Sequence, residues 1–125
     1  MSNSNQQQPS PWATVAHRTD LVPGAGVGAL YQDQQVALFY LPDWDDSVFA
    51  VSNYCPFSGV HIIARGIIGD IKGEPVVATP LYKQHFSLRT GICVESPEVR
   101  LTRFEVRWQG DQVQVRVAEV GELAA

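Results

Sequence analysis

The sequence predicts an all-β sandwich or barrel, and three features lead there. Short runs rich in β-branched and aromatic residues recur along the chain at nearly even spacing. Glycine, proline and aspartate punctuate them. No window carries the sustained 3.6-residue apolar period of a long amphipathic helix.

Residues 1–11 are polar and proline-bearing with nothing to bury, so they are expected to form a disordered tail. Residues 12–16 open the domain with alternating apolar positions. Val22-Pro23-Gly24-Ala25-Gly26 is a turn cluster, because proline fixes φ and glycine accepts positive φ. Strands are expected over residues 27–31, 35–41 and 48–52, broken by Gln32-Asp33-Gln34 and by Pro42-Asp43-Trp44-Asp45-Asp46. The stretch 59–64 is expected to make one short helical turn. Strands over 75–78 and 85–88 flank a second loop. Residues 99–108 and 112–117 read as a hairpin about Gln109-Gly110-Asp111. In its second arm Val113, Val115 and Val117 share one face, and Gln112, Gln114 and Arg116 the other. Residues 119–125 are expected to fray. The organisation is thus one domain over 12–118 between two tails, without an internal repeat.

A chain of 125 residues with 45% apolar content can build one core without staples. Its formal net charge of −4 supplies no basic face for nucleic acid and disfavours an anionic membrane surface. Two cysteines, Cys55 and Cys93, are too few for a disulfide scaffold and fit reduced thiols in a cytosolic protein. No run approaches the roughly 20 apolar residues of a membrane span. The start has neither a basic n-region nor an apolar h-region, so the expected location is the cytoplasm.

Two loops carry the remaining information. Residues 53–66 read Cys55-Pro56-Phe57 and end on Ala64-Arg65-Gly66. Residues 79–91 read Thr79-Pro80-Leu81-Tyr82, then Phe86-Ser87-Leu88-Arg89-Thr90-Gly91. This punctuation resembles that of a Rieske iron–sulfur domain, which places Cys-x-His in its first loop and Cys-x-x-His in its second. On that pattern Cys55 keeps a sulfur. Phe57 stands at the first histidine position, Thr79 at the second cysteine position and Tyr82 at the second histidine position. One thiolate cannot hold a two-iron cluster, and a phenyl ring has no lone pair to give. The frame argues for the fold and the ligand positions argue against the cofactor.

The stretches Gln35-Val36-Ala37-Leu38-Phe39, Val48-Phe49-Ala50-Val51-Ser52-Asn53 and Val77-Ala78-Thr79-Pro80-Leu81-Tyr82-Lys83-Gln84-His85-Phe86 extend the resemblance over residues 12–117. Together they resemble one family, the small subunits of NAD(P)H-dependent assimilatory nitrite reductase, the NirD-type Rieske-like proteins. The resemblance implies a Rieske-like antiparallel sandwich or barrel with two loops in place of the cluster-binding hairpins. It implies a cytoplasmic, non-catalytic subunit with no cofactor of its own. The partner would be the nitrite reductase large subunit, carrying FAD, sirohaem and a 4Fe–4S cluster and reducing nitrite to ammonium in nitrate assimilation.

Other chemistry was weighed on the residues themselves. Cys55, His61, His85 and Cys93 are the soft or imidazole ligands near the loops, but they lack the close pair usual in a zinc site. With Cys55 and His61, His85 or Cys93, an atypical cluster or metal site would make the chain a ferredoxin-like electron carrier, the rival reading. Cys55 and His61 share a loop, yet no third residue orients the imidazole for nucleophilic catalysis. His17 lies far from both loops and needs no function. Gly24-Ala25-Gly26-Val27-Gly28 leads into a strand rather than a helix, so it is a turn and not a dinucleotide loop. The rings of Phe57, Tyr82 and Phe86 either plug the hole that a cluster would fill or offer anchors to a partner. Arg65, Lys83 and Arg89 either steer an acidic partner or form a solvated rim.

Overall fold

The computed structural model describes residues 11–81 and 83–117. The expected tails, residue 11 apart, and Tyr82 lie outside the described residues. Nine strands run in order: β1 Ala13–His17, β2 Gly26–Tyr31, β3 Gln34–Leu41, β4 Ser47–Ser52, β5 Ile67–Ile71, β6 Glu74–Ala78, β7 His85–Ser87, β8 Arg103–Gln109 and β9 Gln112–Val117. Six of them form one antiparallel sheet in the order β1-β9-β8-β4-β3-β2. Its edge strands β1 and β2 approach each other, so the sheet curls into a nearly closed barrel. The strands β5-β6-β7 form a second, smaller sheet that carries the two loops. No helix among the described residues is long and apolar enough to cross a membrane.

Side-chain alternation explains how the two sheets share β3 and β4. Val36 and Leu38 on β3, with Val48 and Ala50 on β4, fill the barrel interior beside Tyr31, Phe104, Val113 and Val115. Ala37, Phe39 and Leu41, with Val51, face the other way. They pack with Ile63, Val77, Phe86, Leu88 and Leu101 into a second core beneath the loops. Burial on both faces is why these strands read as unbroken apolar runs.

The outer wall of the barrel is pinned by one cation. Arg18, in a short 3-10 turn over Arg18–Asp20, lies 4.0 Å from the Trp108 ring centroid. It donates to the Tyr40 hydroxyl at 3.1 Å and to Asp46 Oδ2 at 3.2 Å. Tyr40 donates in turn to Asp46 Oδ1, and Trp108 Nε1 donates to the Asp46 carbonyl at 2.9 Å. The bond from Tyr40, then that from Arg18, holds the Asp46 carboxyl below its ordinary value.

Three sequence expectations shift. β5 was not anticipated. It closes on β6 through Lys72 and Gly73, both at positive φ, with Asp70 Oδ1 accepting from the Gly73 N–H at 2.7 Å. The helical turn falls at Ile63–Arg65 rather than over residues 59–64, because Asn53 anchors the chain there. The last hairpin begins at Arg103 rather than residue 99. Val99 and Leu101 instead pack under the loops, where the Leu101 N–H bonds the Gly91 carbonyl at 2.8 Å.

Candidate functional site

Asn53 shuts the root of the first loop. Its main-chain N–H donates to the Gln35 carbonyl at 3.0 Å and its Nδ2 to Gln35 Oε1 at 3.1 Å. Its Oδ1 accepts from the Ala64 N–H at 2.7 Å, and its carbonyl accepts from Ile63 at 3.1 Å. Further out, Cys55 N–H reaches the Val60 carbonyl and Gly59 N–H the Cys55 carbonyl, both at 2.8 Å. This leaves residues 56–59 as the tip. The loop leaves through Gly66, where a Cβ would lie 2.5 Å from the Ala78 carbonyl oxygen. Only glycine lets the first loop press this closely on β6.

Thr79 does the same for the second loop. Its N–H donates to the Gln84 carbonyl at 2.9 Å, its carbonyl accepts from Lys83 at 3.1 Å, and its Oγ1 accepts from the Gln84 N–H at 3.1 Å. Pro80, Leu81 and Lys83 lie at the tip. The far side closes at Gly91, whose φ of +81° no β-carbon favours, and whose Cβ would lie 2.5 Å from the Leu101 carbonyl oxygen.

The donor set at the loop tips does not fit a two-iron cluster. Cys55 is fully buried among apolar side chains. Phe57 offers carbon, and its ring packs on Phe86 at a centroid distance of 5.9 Å. Thr79 is buried and its hydroxyl already serves Gln84. The fourth position carries the phenol of Tyr82 in the sequence. A cluster needs two thiolates and two imidazoles there.

The alternative ligands do not converge either. Among the described residues, no three His, Cys, Asp or Glu side chains gather where a metal could sit. His61 is exposed and meets the Tyr54 ring edge-on at 5.4 Å. His85 is held by Glu95, through its N–H to Oε1 at 2.9 Å and through Nδ1 to Oε2 at 2.5 Å. Burial pushes the Glu95 carboxyl up, but these two bonds outweigh it and the net shift is downward. The Cys93 thiol donates weakly to Glu95 Oε1 at 3.7 Å, and burial pushes it above its ordinary value.

Of the docking candidates among the described residues, Arg65 and Lys83 come together at one groove, Phe57 and Phe86 pack on each other, and Arg89 lies at another cleft. Arg65 and Lys83 line a groove of about 470 Å³ with Ile67, Ala78, Thr79, Pro80 and His85. Strand register creates it: Ile67 pairs with Ala78, and Ala78 pairs with His85. The small Ala78 is the floor between two larger neighbours. Ile67 is 76% exposed and Leu81, on the adjacent tip, 61%. Phe86 is 0% exposed, which corrects its candidacy as a surface anchor: it belongs to the core. Phe57 is half-buried against it. Arg89 faces a different cleft with Leu88, Arg103 and Phe104, and lies 3.9 Å from Glu74. Sequence reasoning missed Ile67 altogether and weighed His85 only as a ligand; a strand over residues 67–71 was the signal that would have placed both.

The comparisons with known proteins agree with this architecture. The model of the Rieske-like [2Fe–2S] domain family matches residues 11–116. The nitrite reductase (NADH) small subunit of Escherichia coli K12 is 40% identical over 107 residues, covering 86% of this chain and 98% of that one. A crystal structure described as a putative NADH-dependent nitrite reductase small subunit from Mycobacterium tuberculosis is 40% identical with a TM-score of 0.82, covering 90% of this chain and all of that one. The nitrite reductase [NAD(P)H] large subunit of Klebsiella oxytoca is 34% identical over 115 residues, which cover 87% of this chain and only 12% of that one. A family-model match over residues 11–116, with 40% identity to small subunits that cover 86–90% of this chain, places the chain in the Rieske-like family of nitrite reductase small subunits.

Proposed function

We propose that this chain is the non-catalytic small subunit of a cytoplasmic NAD(P)H-dependent nitrite reductase, which reduces nitrite to ammonium in nitrate assimilation. One observation carries the pairing. A nitrite reductase large subunit from Klebsiella oxytoca contains, in 12% of its length, a segment similar to 87% of this chain. There the domain is tethered to its partner at high effective concentration. In a small subunit such as the Escherichia coli relative, 98% of which aligns with this chain, an interface must supply what the tether supplies.

Nitrite reduction moves several electrons, and cofactors carry that chemistry. The loop tips offer phenyl, hydroxyl and phenol groups where a cluster needs imidazoles and a thiolate. The redox groups, FAD, sirohaem and a 4Fe–4S cluster, would therefore belong to the large subunit. This chain would order that subunit or hold its domains in geometry for electron transfer.

Co-expression tests the reading. An untagged chain should co-purify with a tagged large subunit, and NADH-dependent nitrite reduction by that subunit should fall when the small chain is left out. Cys55→Ser should leave turnover of the assembled complex nearly unchanged. Two chains that purify apart, with turnover indifferent to the small one, would sink the pairing.

A further inference from the structure

We infer that the groove between the two loops is the anchor site for the large subunit, and that it receives an apolar side chain flanked by carboxylates. The inference rests on the pairing proposed above and names the face and the chemistry that achieve it.

The first support is charge. The chain is acidic overall, at −4, yet Arg65 and Lys83 meet at one groove. Among the described residues neither is held in an ion pair, whereas Arg18, Arg89 and Arg116 each have a carboxylate partner. An acidic surface with two uncommitted cations at one spot favours a partner whose local charge is negative and repels acidic surfaces elsewhere.

The second support is exposed apolar area at the same place. Among the described residues Ile67 is the most exposed of the large apolar side chains and lines the groove, and Leu81, also exposed, follows the lining residue Pro80 in the second loop. Neither joins the core: Ile67 lies on the face of β5 opposite Ile68, which packs on the core, and residue 81 lies on a loop tip. The Ala78 floor leaves room for an inserted side chain, and His85 forms a fixed wall because Glu95 holds its ring. Such a combination, an apolar pocket rimmed by charge, is the usual setting of an interface anchor. A standard interface draws on about 20–30 residues a side and seven line this groove, so it is the centre of a larger contact.

The test uses the full chain and the separately purified large subunit, with affinity measured by calorimetry or biosensor. Arg65→Glu with Lys83→Glu should raise Kd about tenfold or more, since each reversal sets like charges together. Lys72→Glu makes one such reversal at the opposite end of the β5–β6 hairpin and should leave Kd within about twofold. Added salt should weaken wild-type binding and strengthen that of the double variant, whose like charges it screens. Ile67→Ser probes the same groove without altering charge and should also weaken binding. All four side chains are exposed, so melting temperatures should stay near wild type. Wild-type affinity in the groove variants, or equal weakening by Lys72→Glu, would overturn this site while leaving the pairing intact. A wild-type chain that does not bind the large subunit would instead remove the pairing itself.

Discussion

The Phe57 ring stands 5.9 Å from the Phe86 ring at an interplanar angle of 49°, one ring from each loop segment. Where a Rieske domain would join its loops through iron, these two rings join them through dispersion and burial. Phe86 is fully buried, so Phe86→Ala should cost about 3–5 kcal/mol. Phe57 is half in solvent, and Phe57→Ala should cost on the order of 1–2 kcal/mol. A double-mutant cycle by urea denaturation should return a coupling of about 0.5–1.5 kcal/mol. If Phe57→Ala leaves the urea midpoint unmoved and only weakens the complex, the ring is a docking anchor instead of a plug.

Thr79 occupies a cysteine position with a different task. Its Oγ1 accepts from the Gln84 N–H, which shapes the second tip. Thr79→Val keeps the volume and removes the acceptor, so it should cost about 1 kcal/mol, the value of one hydrogen bond with its donor left in place. Amide exchange at Gln84 should speed up in the same variant. Unchanged exchange would mean that the loop holds its shape by other bonds.

The strands that bury both faces were legible because nothing competes with their signal. β3 and β4 are near-continuous apolar runs, and the expected spans missed only one residue at the start of each. The alternation of β9 was equally plain, with Val113 and Val115 buried and Gln112 exposed. β5 was hidden because its sequence, Ile67-Ile68-Gly69-Asp70-Ile71, puts two poor strand formers in the middle. An edge strand tolerates them, since only one neighbour depends on its ladder. The groove followed β5 into obscurity: Ile67, Ala78 and His85 are neighbours only through the pairing of three strands. Arg65, Lys83 and Arg89 looked alike as loop cations. Their separation into two clefts is a tertiary fact.

The acid limb of stability should depend on Asp46 and Glu95. Both carboxyls lie below their ordinary values in the folded chain, Asp46 through Tyr40 and Arg18, Glu95 through His85 against the opposing effect of burial. The unfolded chain then takes up these protons first. Their contribution is complete above the ordinary carboxylate value of about 4 and is lost as pH falls through the lower folded values. Urea midpoints followed from neutral pH into this range should drop, and Asp46→Asn should flatten part of the drop. Tyr40 works at the other end. Its hydroxyl is raised first by donating to Asp46, so its contribution is complete below about pH 10 and lost as pH rises through the raised value.

Both thiols should be silent in the native state. Cys55 and Cys93 are each 0% exposed and sit in the core beneath the loops. Burial pushes the Cys93 thiol up, and the neighbouring Glu95 carboxylate disfavours a second negative charge beside it. The thiolate is the reacting species, so burial denies access to both sulfurs and the raised Cys93 thiol is further disfavoured. A disulfide reagent at neutral pH should find no fast-reacting thiol in the folded chain and two in urea. The slow native rate then measures opening of this core. Phe57→Ala should raise that rate at Cys55, two residues away in the same loop, because the ring packs against the core that holds the sulfur. A fast native reaction at Cys55 in the wild-type chain would mean that the loops part readily, and the Phe57–Phe86 contact would no longer account for their closure.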